Sequence, residues 1–219
     1  MAFAQSSCLI LFAKEPIAGR VKTRLEVALG MEGTLDLYRR MLKRQITLLN
    51  KASRITSHLA IQLWVEGDCE HADFKPFNGT IHSQQGNDIG ERMSFALQQA
   101  LTKFDSAMLI GCDCPEITDA YLNKAFAVLK NSSDAVFGPA ADGGYVLVGL
   151  KEHTDKIFKR VDWGSERVMA QSRKHLRENN IRWQELDILH DIDEPEDLIY
   201  LDGKLKAKSS KLKAVVTSV

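Results

Sequence analysis

Apolar positions along the 219-residue chain fall into two rhythms. Segments that read as strands occur at Ser7-Cys8-Leu9-Ile10-Leu11-Phe12-Ala13, His58–Val65, Thr80–Ser83, Ala107–Gly111, Ala135–Phe137 and Tyr145–Val148, and another strand begins at Ile181-Arg182-Trp183. Between them, helical spacing takes over. Leu35, Tyr38, Leu42, Ile46 and Leu49 mark one helix, with Arg39, Arg40, Lys43 and Arg44 largely on its wet side. Ile89, Met93, Leu97, Ala100, Leu101 and Phe104 mark a second. Further helices are predicted over Leu122–Leu129, near Glu166–Glu178 and, briefly, from Pro195. Strands and helices alternate through the first two-thirds of the chain. That order predicts a Rossmann-like α/β fold: a mostly parallel mixed sheet with helices on both faces. The irregular stretch Lys151–Ser165 is the candidate for an active-site flap.

Composition keeps this picture to one domain. Apolar residues make up 44% of the chain, enough for a sizeable core, with no repeat or low-complexity linker. The expected division is a single domain over 1–202 and a basic tail over 203–219. Formal net charge is zero, so nothing global points to nucleic acid or an anionic membrane. The tail hides an asymmetry: without its five lysines, 24 cations face 29 acids. No apolar run approaches the roughly 20 residues that span a bilayer, and the N-terminus lacks the basic region and cleavage site of a signal peptide. Four cysteines (Cys8, Cys69, Cys112, Cys114) do not make a disulfide framework, and a reducing cytoplasm is expected.

Against a mildly acidic body, the segment after the first strand stands out. Lys14, Arg20, Lys22 and Arg24 crowd one loop around Gly19. Like charges repel unless something anionic lies among them, and loops after strand ends are where α/β folds bind ligands. Lysine supplies a mobile point charge for phosphate and arginine a planar two-pronged donor. The Walker pattern is absent, so side-chain charge rather than a backbone cradle carries any phosphate binding. The alternative is a solvated basic loop.

Four other stretches could complete a site. Asp113 in Gly111-Cys112-Asp113-Cys114-Pro115 ends a buried strand; it either holds Mg2+ against phosphate or caps a turn. Cys112, Cys114, Cys69 and His71 are zinc-ligand types, but C-x-C is not a usual zinc spacing. Gly138–Tyr145 reads as a hairpin turn that can place Asp142 and Tyr145 against an acceptor. In Asp191–Leu198, Asp193 and Glu196 resemble a capping box with Pro195 in the first turn, which leaves Asp191 unexplained; a second metal carboxylate is the other reading. Gln84, Gly86 and Asp88 follow a strand where amides can read a nucleobase, although Asp88 equally suits a helix cap. Trp163 either lines the flap or plugs the core.

The ordered strings FAKEPIAGRVKTRL, QQGNDIGERM, GCDCPEIT, GPAADGGYVLVGL, WGS and DIDEPEDL resemble the bacterial glycosyltransferase-A-like family, some of whose members are associated with arsenosugar biosynthesis genes. The resemblance runs from about Cys8 to Tyr200. It implies the nucleotide-diphospho-sugar transferase fold, also called GT-A, a three-layer α/β/α sandwich. By that resemblance Lys14, Gly19, Arg20, Lys22 and Arg24 form the phosphate loop, Asp113 and Asp193 hold Mg2+ (or Mn2+), and Gln84, Gly86 and Asp88 lie on the base and ribose side. Gly143, Gly144, Tyr145 and Trp163 face the acceptor. The chain departs from related families in two places. Lys22-Thr23-Arg24-Leu25 is closer to the K-S-R-L loop of phospholactate guanylyltransferases than to a glycine-rich G-x-R loop. Asp113-Cys114-Pro115 resembles the C-D-x-P of molybdenum cofactor nucleotidyltransferases rather than the D-x-D of glycosyltransferases.

The expected function is therefore a metal-dependent transferase using a nucleotide polyphosphate. Glycosyl transfer from a nucleotide sugar to a small-molecule acceptor leads, with Asp142 positioning or deprotonating the acceptor and Lys22 and Arg24 supporting the leaving group. Nucleotidyl transfer from a nucleoside triphosphate is the alternative, and a non-catalytic nucleotide-binding module the third reading.

Overall fold

The first strand, β1 (Ser7–Lys14), is buried along nearly its whole length and deals side chains alternately to two cores. Leu9, Leu11 and Ala13 enter one hydrophobic cluster, and Cys8, Ile10 and Phe12 the other. Each fully buried leucine or isoleucine contributes about 1.5–3 kcal/mol. A strand apolar on both faces needs layers on both sides, and the computed structural model, which describes residues 6–131 and 133–201, shows them. The basic tail over 203–219 lies outside the described residues.

The other strands are β2 (Leu59–Glu66), β3 (Thr80–Ser83), β4 (Ser106–Gly111), β5 (Ala135–Pro139), β6 (Tyr145–Leu150) and β7 (Trp183–Glu185). They form one sheet in the order β3-β2-β1-β4-β6-β5-β7. The strands pair in parallel except that β6 runs antiparallel to both β4 and β5. Helices α1 (Glu26–Ile55) and α3 (Asp119–Asn131) cover the face that holds Leu9 and Leu11; α2 (Ile89–Leu101) and α4 (Val168–Glu178) cover the other. The predicted mostly parallel mixed sheet with flanking helices is the observed architecture.

Two boundaries differ from the sequence reading. The first helix begins earlier than Leu35, but Gly30 is non-helical at φ 70, ψ 165 and kinks it, which interrupts the apolar period. The last strand lies at Trp183–Glu185, on an edge with half-exposed polar positions that give little signal. In the irregular stretch Lys151–Ser165, Ile157, Phe158 and Val161 are buried, the first two in the core that α2 and α4 share. Cys112 and Cys114 are buried in the other core, and among the described residues no three His, Cys, Asp or Glu side chains converge as a metal cage.

This topology decides where chemistry collects. The carboxyl ends of β1, β2 and β4 share one edge, and the reversed β6 begins at that same edge. Lys14, Glu66, Asp113 and Tyr145 therefore meet although they come from four strand ends.

Candidate active site

The basic loop leaves β1 under the control of Tyr38 in α1. Its buried hydroxyl accepts from the Lys14 amide at 2.7 Å and donates to the Lys14 carbonyl at 2.9 Å, so the strand end is fixed. Eight residues on, Lys22 takes a left-handed conformation (φ 49, ψ 41) just before a 3-10 turn at Thr23–Leu25. Val21 and Leu25 are buried on either side. The side chain of Lys22 is thereby turned inward and is only 10% exposed.

An ammonium buried that deeply persists only if it is paired. Lys22 Nζ donates to Asp113 Oδ2 at 3.1 Å and to Asp193 Oδ1 at 3.2 Å. Burial alone would lower the Lys22 pKa, but the charges of Asp113 and Asp193 outweigh it and hold the amine above its ordinary value. Burial would likewise raise the Asp113 carboxyl, yet Lys22 holds it below the usual range. Arg24 reaches the outer oxygen of the second carboxylate, with Nη1 at 2.7 Å from Asp193 Oδ2, and also approaches Glu194. Two carboxylates thus point at one cationic position.

The second carboxylate is free for this because it is not the helix cap. The final 3-10 helix, Pro195–Tyr200, is capped from Glu194, and Asp197 Oδ2 accepts the amides of Asp193 (3.0 Å) and Glu194 (2.7 Å). The capping box expected at Asp193 and Glu196 lies one residue later. Fully buried Ile192 anchors the segment between Asp191 and Asp193, and its amide donates to the Asp113 carbonyl at 3.0 Å. The Asp191 carboxyl is pushed up to about 7, chiefly by burial and then by Asp113 and Asp142.

Above the Lys22 cluster opens a cavity of about 340 Å³. Lys14, Lys22, Gln84, Asp113, Tyr145 and Asp193 line it, and Phe12, Ile89 and Met93 supply apolar walls. Gln84 Nε2 is already committed to the carbonyls of Ala13 (3.2 Å) and Trp64 (3.0 Å), which leaves its oxygen for a ligand. A smaller pocket of about 170 Å³ adjoins it and is lined by Asp142, Gly144, Tyr145, Trp163 and Asp191. The turn that presents Asp142 depends on glycine. Gly143 has φ 90, and a Cβ there would lie 2.1 Å from the Glu166 carbonyl oxygen. Asp142 Oδ1 accepts from the Gly144 amide at 2.8 Å.

The remaining predicted residues stand outside both cavities. Arg24 pairs on the rim, while Gly19, Arg20, Gly86, Asp88 and Gly143 line neither. Asp88 caps α2, accepting the Glu91 amide at 2.8 Å. Conversely, sequence reasoning passed over Glu66. It ends β2 level with Lys14, lines the main cavity, and pairs with Lys14 at 3.5 Å and Arg92 at 2.9 Å. A charged residue at the end of a mostly apolar strand is its signal in the sequence.

Residues 47–165 match a family described as an uncharacterized protein conserved in bacteria, DUF2064. None of the curated proteins matches the chain. Among solved structures, the chain resembles a protein of Desulfovibrio desulfuricans provisionally named a nucleotide-diphospho-sugar transferase, with a TM-score of 0.84 and 29% identity over 98% of both chains. It shares its fold with CMP:2-keto-3-deoxy-manno-octonic acid synthetase complexed with CTP (TM-score 0.57, 9% identity, 88% of this chain and 95% of that one). It also shares it with glucosyl-3-phosphoglycerate synthase of Mycobacterium tuberculosis, complexed with Mg2+ and UDP (TM-score 0.54, 10% identity, 98% of this chain and 79% of that one). The fold is that of the nucleotide-diphospho-sugar transferases. Among the described residues no helix is long and apolar enough to cross a membrane.

Proposed function

The chain belongs to the DUF2064 family of bacterial proteins, and from that premise we propose that it is a transferase that takes a nucleotide sugar in the 340 Å³ cavity and passes the glycosyl group to a hydroxyl acceptor. The observation that carries this is the convergence of Asp113 and Asp193 on Lys22 at the foot of that cavity. Two carboxylates beside a cation can hold a metal ion, and a metal ion together with Lys22 and Arg24 would counter the charge of a diphosphate. Lys22 and Arg24 neutralise the negative charge that grows on the departing nucleoside diphosphate. Glu66 and the Gln84 oxygen face the same cavity as hydrogen-bond acceptors suited to ribose hydroxyls or a base amine.

The residues fit a divalent metal. Two hard carboxylates that already share one cationic point, without an all-protein cage among the described residues, suit an ion completed by phosphate oxygens and water. Asp113 and Asp193 would hold Mg2+ or Mn2+, which when bound adds positive charge against the diphosphate. In the transfer itself, the acceptor oxygen bonds to the anomeric carbon while the bond from that carbon to the diphosphate oxygen breaks. The electron pair leaves with the nucleoside diphosphate, and the hydroxyl proton passes to Asp142. Four unpaired cysteines suit a reducing, cytoplasmic setting.

One observation favours a second reading. Asp113 is followed by Cys114-Pro115 rather than by a second aspartate, and Lys22-Thr23-Arg24 sets two cations one residue apart, which suits pyrophosphate. Under that reading the chain transfers a nucleotidyl group from a triphosphate. Thermal denaturation with a panel of nucleotide sugars and nucleoside triphosphates, with and without Mg2+, separates the two, because a ligand stabilises the folded state in proportion to its occupancy. Glycosyl transfer expects the largest Mg2+-dependent shift from a nucleotide sugar. A triphosphate preference favours the second reading, and no shift with any nucleotide rejects both.

A further inference from the structure

The pocket between the Gly143 turn and Trp163 differs chemically from the cavity beside it. Ile89, Met93 and Tyr145 line both, so the two spaces are neighbours with a common wall. The main cavity sets Lys14 and Lys22 among its carboxylates Glu66, Asp113 and Asp193; the smaller one presents Asp142 and Asp191 and no cation. Both carboxylates have acceptor capacity to spare. Asp142 uses Oδ1 to hold the Gly144 amide, and the Asp191 carboxyl meets its own backbone amide.

A second, independent sign of a ligand is the Tyr145 hydroxyl. It is buried and has no hydrogen-bond partner among the described residues. An orphaned phenol costs stability unless something satisfies it, and Tyr145 stands in the wall common to both spaces. Across from it, Trp163 meets the Tyr145 ring edge-on at 6.2 Å. The indole is seated on α2 at Gly90, where a Cβ would lie 2.5 Å from the ring, so its position is fixed.

We propose that this pocket is the acceptor subsite and that it selects a small polyhydroxylated acceptor without negative charge, rejecting phosphorylated and carboxylated ones. The proposal rests on the transferase reading and names its acceptor class. Hydroxyl groups donate to Asp142 and Asp191 and satisfy Tyr145, while the apolar face of a sugar or cyclitol ring lies on Trp163. A phosphate or carboxylate in the same 170 Å³ would face the Asp142 carboxylate with no cation among the lining residues. The subsite thus speaks for transfer to a hydroxyl over transfer to a phosphate.

The test uses the full chain without nucleotide, so that it stays readable even if the donor reading fails. Methyl α-glucopyranoside, glucose 6-phosphate and glucuronate are titrated into 15N-labelled protein, following the Trp163 indole signal, assigned as the one missing from Trp163→Phe. The neutral glycoside is expected to shift that signal with an apparent Kd at least about tenfold below either anion, the discrimination that a single like-charge contact supplies. In Asp142→Asn with Asp191→Asn the ratio should fall to within about twofold as the repulsion disappears; the single variants serve if the pair does not give a folded spectrum. Equal or tighter binding of an anion to the wild-type chain, movement of another indole instead, or no response to any of the three overturns the proposal.

Discussion

The Ile192 amide donates to the carbonyl of Asp113 at 3.0 Å. This one backbone bond draws a segment near the end of the chain against the end of β4. It sets Asp191 and Asp193, which flank a buried isoleucine, beside the carboxylate of Asp113. Lys22, from the first basic loop, then closes the group from the opposite side. The site is the product of three distant pieces of chain, and each can be tested separately.

Replacing Lys22 by Met removes the buried cation that pairs with both Asp113 and Asp193. Loss of one partner from a largely buried ion pair is expected to cost about 2–3 kcal/mol here, at the low end because the carboxylates keep some solvent. Urea unfolding measures the loss. Millimolar Mg2+ should restore more stability to the variant than it adds to the wild type, because Asp113 then has lost its counter-charge and Asp193 keeps only the exposed Arg24.

Asp193 and Asp197 should separate function from folding. Asp193→Asn is expected to abolish Mg2+-dependent turnover with a modest stability change. Asp197→Ala strips the cap from two backbone amides and should cost about 1–2 kcal/mol while substrate affinity is retained. Parallel denaturation and activity curves decide it, and a stability collapse in Asp193→Asn would sink the assignment of that carboxylate to ligand binding.

Asp142→Asn keeps the size of the side chain and an oxygen for the Gly144 amide but removes the base. The transfer rate should fall by about 10²–10⁴-fold with little change in nucleotide affinity. Steady-state kinetics beside nucleotide titration reads both quantities.

Thiol reactivity follows burial. Burial pushes Cys8, Cys112 and Cys114 up to about 12, so almost no thiolate exists at neutral pH, whereas Cys69 is partly exposed. Iodoacetamide at pH 7.5 is expected to modify Cys69 first in the native protein and all four cysteines in denaturant. Peptide mass spectrometry gives the order.

Glu66 should make stability depend on acid pH. Partial burial alone would raise its carboxyl, but Lys14 and Arg92 outweigh that and hold it below the ordinary value. A carboxyl lowered in the folded state contributes stability above its unfolded pKa and loses it as pH falls. Between about pH 5 and 3, wild type should therefore lose more stability than Glu66→Gln, read as the difference in urea midpoints.

Much of the fold was legible because burial on two sheet faces demands uninterrupted apolar runs. The runs around Leu9–Phe12 and Ala107–Ile110 became the two central parallel strands β1 and β4. The kink at Gly30 and the polar edge strand β7 were less legible, since neither carries a period. In the site, the types of Lys22, Asp113, Asp142 and Asp193 pointed to charge chemistry. Their pairing did not, and the spacing at Asp193 and Glu196 suggested a cap that the chain forms instead with Glu194 and Asp197.

By itself, the sequence determined the alternation of strands and helices, the basic loop after the first strand and the acidic turns, because these follow from local periodicity and from residue chemistry. Only the tertiary structure decided which charges meet. Strand register sets Glu66 level with Lys14. The reversal of β6 carries Asp142 and Tyr145 to the edge where Asp113 ends its strand. The physical reason is range. A helix or strand is dictated by neighbours a few residues away, whereas Lys22 finds Asp193 across 171 residues only because packing two apolar cores leaves that edge of the sheet as the place where buried charge can be paired.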